Sequence, residues 1–262
     1  MFIIREEWFH AILDRHSRRS FQPKELSIEN SETILRLLEE LNDKVKGFKA
    51  ELIPQNNDDI FKGIISSFGK IRNAPAYVVL IGDTTDKSIE QKIGYYGECL
   101  VLEATNHKLG TCWVSGFFSR EKVSERVVLN ENERIYAVVA IGYVSEEYQL
   151  NEKIMISLAR SKSRRSFETL FDGIGMLKLP RWLKAGLDSA RIAPSAMNRQ
   201  PWFFHIENNS VSLSNPGNKP LSKLDCGIAM LHFELGALHQ GFKGAWEKYD
   251  QQFVAVFCES TN

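Results

Sequence analysis

An arginine, a histidine and a serine in succession, with two further arginines behind them, form the most chemically suggestive string in this chain: Arg15-His16-Ser17-Arg18-Arg19. Guanidinium, imidazole and hydroxyl donors set this closely, behind a predicted helix end and ahead of Pro23, could hold a phosphate through charge-assisted hydrogen bonds worth roughly 1.5–3 kcal/mol each. A solvated basic turn would carry the same residues. A second cluster, Pro194-Ser195-Ala196-Met197-Asn198-Arg199-Gln200-Pro201-Trp202, offers hydroxyl, amide and main-chain groups between a helix and a strand. Its two prolines restrict the backbone, which suits a ligand. It also suits a helix connection in which Ser195 and Asn198 satisfy local backbone groups.

The first string returns in worn form. Arg15 to Phe21 has its counterpart in Ser161-Lys162-Ser163-Arg164-Arg165-Ser166-Phe167. Upstream, Trp8, Phe9, Ile12 and Leu13 keep the same offset as Ile154, Met155, Leu158 and Ala159, so each string follows a short helix with one apolar face. Later, Gly94, Ala104 and Trp113 recur with the same spacing as Gly227, Ala237 and Trp246. Two agreements in order mark a duplicated chain, with one half expected over residues 1–148, the other over 149–262, and the polar stretch Ser145 to Lys153 as the seam. The halves differ where the chemistry lies. Only the first keeps Arg15 and His16, and only the second carries the Pro-Ser-Asn loop, which the first replaces by Lys46-Gly47 leading into Phe48.

The elements that must position these groups follow from apolar spacing. In the first half the pattern predicts a helix to about Arg15, a second from about Ser31 with Ile34, Leu37, Leu38, Leu41 and Val45 on one face, and a strand over Phe48 to Pro54. A connecting segment to Phe68 precedes Ala76 to Ile81, a continuous apolar run that suits a strand buried on both faces. The longest helix is expected over Ile89 to Lys108, with Gly110 ending it. A short strand from Thr111 runs into a turn at Ser115 to Phe118, and a further helix leads to a strand over Ile135 to Val144. The second half repeats this order more briefly: helix Arg181 to Arg191, the Pro-Ser-Asn loop, a hairpin Trp202 to Ser214 around Asn208-Asn209, helix Cys226 to His239 and strand Phe253 to Phe257. Interspersed helices and strands with buried centres give an α+β sandwich, sheet flanked by helices.

Composition narrows the function class. The 262 residues are 43% hydrophobic and 25% charged, enough for a sizeable core. Lys and Arg total 33, as do Asp and Glu, so no long-range field recruits nucleic acid or an anionic membrane, and neither partner is expected. Cysteines 99, 112, 226 and 258 sit in apolar segments without a Cys-x-x-Cys pair, which predicts buried free thiols in a reducing cytoplasm. The N-terminus turns acidic before any signal-peptide-like run, and the most apolar stretch, Ile135 to Val144, is about half a membrane span. A cytoplasmic protein is expected. His232 and His239 share a helix, but no Cys, Asp or Glu cluster completes a metal site. Gly94 and Gly97 follow no Gly-x-Gly-x-x-Gly pattern and read as places of close helix packing. Trp182, Trp202, Trp246 and Phe203-Phe204 read as core.

Arg-His-Ser-x-Arg-x-Phe near the start, Pro-Ser-x-x-Asn-x-Gln-Pro-Trp, and Leu109-Gly110-Thr111-Cys112-Trp113-Val114-Ser115-Gly116-Phe117 together resemble the FMN-dependent nitroreductase family, in the branch where two halves are fused into a pseudo-dimer. The resemblance implies a nitroreductase-like α+β fold of two fused half-repeats, a monomeric pseudo-dimer, and FMN gripped by the arginine-serine string and Gly-Phe turn on one side and the Pro-Ser-Asn loop on the other. By motif, Arg15, His16, Ser17 and Arg19 would hold the phosphate, ribityl or pyrimidine end, Pro194, Ser195 and Asn198 would cover the opposite flank, and Ser115 and Gly116 would lie beside flavin N5. Lys70 stands where the family often has a cation facing flavin N1 or O2. The chain departs from the family pattern in having Ser115 where several members carry an acid, and no clear basic pair after Ala140-Ile141-Gly142-Tyr143.

The implied chemistry is ping-pong hydride transfer from NAD(P)H to a small electron-poor acceptor such as a nitroaromatic or quinone, with donor and N5 about 3–3.5 Å apart and no catalytic triad. Because each half has lost the motif the other keeps, one FMN per chain is expected. The alternative is a degenerate flavin-binding or flavin-free binding module without turnover.

Overall fold

The computed structural model of the protein describes every residue except 1, 3, 55–58, 62–68, 160–162, 176–177, 208–209, 218–221, 248–254 and 260–262. Ser161 and Lys162 of the second string, the Asn208-Asn209 turn, Phe68, and the start of the expected strand at Phe253 lie outside the described residues.

α1 (Trp8–Asp14) buries Trp8, Ala11 and Ile12. α2 (Ile28–Lys44) begins before Ser31 because the Ser27 side chain caps it, accepting from the backbone N–H of Asn30. Its buried Ile34, Leu37, Leu38 and Leu41 are four of the five residues that spacing assigned to one face, and it packs on β1 (Phe48–Pro54). Asn42 fixes that packing: its side chain meets the Ala50 N–H at 2.7 Å and the Ala50 carbonyl at 2.9 Å. β2 (Ala76–Asp83) is buried through Gly82, as its unbroken apolar run requires. α3 (Ile89–Asn106), β3 (Gly110–Val114), α4 (Arg120–Ser124) and β4 (Glu133–Gly142) complete the first sheet region.

Gly110 does not end α3. The helix stops at Asn106, Lys108 takes the left-handed backbone conformation with φ 58°, and Gly110 opens β3. Its lack of a side chain serves packing instead, since a Cβ there would stand 2.4 Å from Val144 Cγ1.

α5 (Leu150–Leu158), β5 (Phe171–Asp172), α6 (Arg181–Arg191), β6 (Phe203–Glu207), β7 (Ser210–Ser214), α7 (Ser222–His239), β8 (Gly244–Glu247) and β9 (Ala255–Glu259) follow. Spacing missed β5 and β8, which are two and four residues long and too short to show a period. The strands form two sheets. One is antiparallel in the order β1-β2-β4-β3; the other has the order β5-β6-β7-β9-β8, with β5 joined in parallel. Without β5, both read first-second-fourth-third, and each places an 18-residue helix, α3 or α7, between its second and third strands. The architecture is therefore α+β, two fused half-repeats with a sheet in each.

The chain clusters into two compact units. The first holds Met1–Ile3, Leu13–Ile89 and Cys99–Arg160; the second holds Ile4–Ile12, Glu90–Glu98 and Ser161–Asn262. Most of α1 thus belongs to the second unit, and α5, the counterpart of α1 in the repeat, belongs to the first.

Within the second unit, α7 crosses the N-terminal half of α3 at two glycines. A Cβ on Gly94 would fall 2.0 Å from the Leu224 carbonyl oxygen, and one on Gly227 would fall 2.1 Å from that of Gln91. Leu224 precedes Gly227 by three residues, as Gln91 precedes Gly94, so the crossing is reciprocal and the spacing match in the sequence marks a real pseudo-symmetric contact. Beside it, the fully buried His232 places Nε2 3.0 Å from Glu98 Oε1. Among the described residues no group of His, Cys, Asp and Glu could hold a metal, and no helix is long and apolar enough to cross a membrane. Cys99, Cys112 and Cys226 are buried free thiols as expected, whereas Cys258 is only half-buried, on β9. Trp202 and Phe204 are core, and Trp182 stacks on Phe242.

Candidate functional site

The first string runs as an extended segment clamped along its length in the first unit. Ser17 bridges to Thr111 of β3, the Arg18 N–H donates to the Thr111 carbonyl at 2.8 Å, the Arg72 N–H donates to the Arg19 carbonyl at 2.9 Å, and the Phe21 N–H donates to the Arg72 carbonyl at 3.0 Å. The pairing brings the segment just after Lys70 against Arg19. Arg15 and Arg19 both lie close enough to Cys112 of β3 to act on it; burial pushes that thiol up, and the two guanidinium charges oppose the shift. The structure thus brings Ser17 onto β3, Arg15 and Arg19 near Cys112, and the segment just after Lys70 against Arg19.

His16 is exposed, with Nδ1 2.8 Å from the Asp14 carbonyl and its ring edge-on to Tyr148. β3 leads into the turn Ser115-Gly116-Phe117. Arg120 Nη2 donates to the Ser115 carbonyl at 3.0 Å, and its guanidinium lies 4.8 Å from the centre of the Phe118 ring, so the turn is held from behind. Gly116 faces open space: a Cβ added there would meet nothing within 4 Å. Phe117 beside it is 43% exposed, which leaves an apolar surface next to the turn.

Arg18 is withdrawn from this set. It is 7% exposed, its Nε donates to Glu152 Oε1 at 3.0 Å, and its guanidinium lies 4.7 Å from the centre of the Tyr148 ring. Burial works against a charge on Glu152, but the hydrogen bonds from Arg18 and from the backbone of Arg19 and Gln149 outweigh it and hold the carboxyl below its usual range. Spacing alone did not find Glu152 or Tyr148. One signal was present: Gln149 and Glu152 form a capping box at the start of α5, a pattern readable in the sequence as Gln-x-x-Glu.

The Pro-Ser-Asn loop belongs to the second unit, and its polar side chains are turned onto their own unit. Ser195 Oγ accepts from the Gln200 N–H at 2.9 Å. Asn198 Oδ1 accepts from Arg164 Nη1 at 2.7 Å, while its Nδ2 donates to the Ser163 carbonyl at 2.8 Å. Gln200 Oε1 accepts from the Arg165 N–H at 3.0 Å. The loop thus grips the second copy of the string through Arg164, Arg165 and Gln200, residues of two motifs whose pairing with each other the sequence did not show. Met197, Asn198 and Gln200 all have φ near +50°, a conformation that costs non-glycine residues of order 1–3 kcal/mol each and persists only where surroundings over-determine it. Pro194 is half-buried ahead of this turn.

Asp225 completes the staple. It is 4% exposed, and its carboxylate accepts from the Ala196 N–H at 3.0 and 3.2 Å. Burial raises its pKa to about 7 against the smaller pull of the Ala196 bond and Arg199. The unfolded chain therefore gives up this proton near pH 4 and the folded chain near pH 7, so the folded state holds the extra proton between them. Stability from this group falls as pH rises through that window, by at most about 1.4 kcal/mol per pH unit. An Asp225→Asn protein keeps an acceptor for Ala196 and loses the titration. Its stability advantage over the wild type, measured by urea unfolding, is expected to grow from pH 4 to pH 7 and then level off; a constant difference would contradict the assignment.

The family model described as "Putative TM nitroreductase" matches residues 7–237 of this chain. The solved structure of a Thermotoga maritima protein bearing a like description aligns over 99% of this chain and 96% of its own, with a TM-score of 0.63 at 20% identity, a likeness of fold. A nitroreductase family protein of Clostridium difficile 630 aligns over 68% of this chain and all of its own, with a TM-score of 0.45 at 16% identity. An FMN-dependent nitroreductase of Clostridium difficile R20291 aligns over 54% of this chain and 92% of its own, with a TM-score of 0.43 at 16% identity. No curated protein matches the chain by sequence.

Proposed function

Because the chain belongs to the nitroreductase family, we propose that it is an FMN-dependent NAD(P)H oxidoreductase acting on small electron-poor acceptors such as nitroaromatics or quinones. The observation that carries the reading is the first string, fixed as an extended segment with Arg15 and Arg19 gathered beside β3 and leading round to the open turn at Gly116. The donor set fits FMN: two guanidinium groups, a serine hydroxyl and a nearby lysine match a phosphate and an electron-rich ring system, and an uncrowded glycine turn lets a planar ring approach backbone N–H groups.

When bound, FMN supplies the redox chemistry, taking hydride from NAD(P)H and giving it to the acceptor. The chain's own residues bind and orient. Arg15 and Arg19 would hold the phosphate, with the Ser17 hydroxyl as a further donor and His16 at the same end; Lys70 would supply a cation toward the ring, and the Ser115-Gly116 main chain, steadied by Arg120, would offer it an N–H donor. A single flavin per chain is proposed, because Ser161 and Lys162 replace Arg15 and His16 in the second string, Arg165, the counterpart of Arg19, donates to the Trp202 carbonyl at 3.0 Å, and Arg164 is locked onto Asn198.

That same lock favours one other reading, a flavin-poor binding module, since Ser195 and Asn198 already have local partners. An absorption spectrum of the purified full chain separates the two. About one FMN released per chain, with the oxidised band bleached anaerobically by NADH or NADPH, is expected. A colourless chain that FMN does not reconstitute would defeat the oxidoreductase reading.

A further inference from the structure

We infer that Glu152 is the positioning residue of the phosphate grip, an inference that rests on the proposed FMN site. Glu152 is 1% exposed and enters from α5, outside every motif that suggested the site. One of its oxygens, Oε1, accepts from Arg18 Nε at 3.0 Å, from the Arg19 N–H at 2.8 Å and from the Ser20 N–H at 3.3 Å. The other, Oε2, accepts from the Gln149 N–H at 2.9 Å and Arg18 Nη2 at 3.5 Å.

Two consequences follow from one carboxylate. Fixing the N–H groups of residues 19 and 20 sets the direction in which the Arg19 side chain leaves the backbone. Cancelling the Arg18 charge removes one of three guanidinium groups from competition for an anion, leaving Arg15 and Arg19. The duplicated half supplies an internal comparison: there the Arg165 N–H, counterpart of the Arg19 N–H, is held at 3.0 Å by the neutral amide of Gln200. The string is thus anchored in both halves through the same backbone position, by a carboxylate in the half where a phosphate is proposed to bind and by an amide in the other.

The test compares the affinities of the full-length apo chain for FMN and riboflavin, which differ only in the phosphate, by quenching of flavin fluorescence. In Glu152→Gln, FMN affinity is expected to fall about tenfold, the loss of one charge-assisted contact, with riboflavin affinity unchanged. The double variant Arg18→Met, Glu152→Met removes the buried pair without stranding a charge and, unlike glutamine, leaves the Arg19 N–H no side-chain acceptor at position 152; the same loss of discrimination is expected of it should the single variant fold poorly. A purely structural role for Glu152 would lower stability and leave the FMN-to-riboflavin ratio intact, and that result in a folded variant overturns the inference while the proposed function stands. A wild-type chain that binds FMN no better than riboflavin also overturns it, and one that binds neither overturns the proposed function as well.

Discussion

Alanine at Gly227 is expected to destabilise the chain by about 2 kcal/mol, an outcome opposite in sign to the one helix propensity gives. In a helix interior, glycine to alanine normally gains about 1 kcal/mol. Here the new Cβ would stand 2.1 Å from the Gln91 carbonyl oxygen and 2.9 Å from the Tyr95 nitrogen, both main-chain atoms of α3, so the clash cannot be relieved by a rotamer change. Overpacking against backbone costs about 3 kcal/mol, the upper end of the usual range, and exceeds the propensity gain. Gly94→Ala meets the Leu224 carbonyl oxygen at 2.0 Å and is expected to cost the same. Because either variant must push the same two helices apart, the second costs less once the first is made, and the double variant falls short of the sum. Urea midpoints of the two single variants and the double variant check this; an unchanged or raised midpoint for either single variant would remove the reciprocal crossing as a stabilising contact.

Arg19→Ala is expected to weaken FMN binding about a hundredfold, the loss of a charge-assisted grip at the upper end of its usual worth, and to leave the fold standing. The string's anchorage runs through the main chain: the Arg19 N–H donates to Glu152 and its carbonyl accepts from Arg72, and both bonds survive truncation of the side chain. Titration of the apo chain with FMN reads the effect, and unaltered affinity would take Arg19 out of the site.

Much of the fold was legible before any coordinates. The unbroken apolar run at 76–81, the single apolar face of α2 and the helix over 181–191 each follow from residue spacing, because a strand or helix buried in a known way leaves its period in the sequence. The duplication was legible too, since Gly94 and Gly227 are kept by a steric demand that no other residue meets. The resemblance to the nitroreductase family, carried by the motifs at 15–21, 109–117 and 194–202, agrees with the family match. The site was less legible. A string of arginines announces positive charge and says nothing of which charge is cancelled.

By itself the sequence determined the repeat, the fold class, the family and the identity of the candidate donors, all properties carried by residue type and local spacing. Only the tertiary structure decided that Arg18 belongs to Glu152, 134 residues away, that Asn198 is held by Arg164 and Ser163, and that Gly110 opens a strand while Lys108 makes the turn. The physical reason is range. Periodicity and capping act over a few residues and are written where they act, whereas the partner of a buried charge is set by which distant segments the fold brings within about 3 Å.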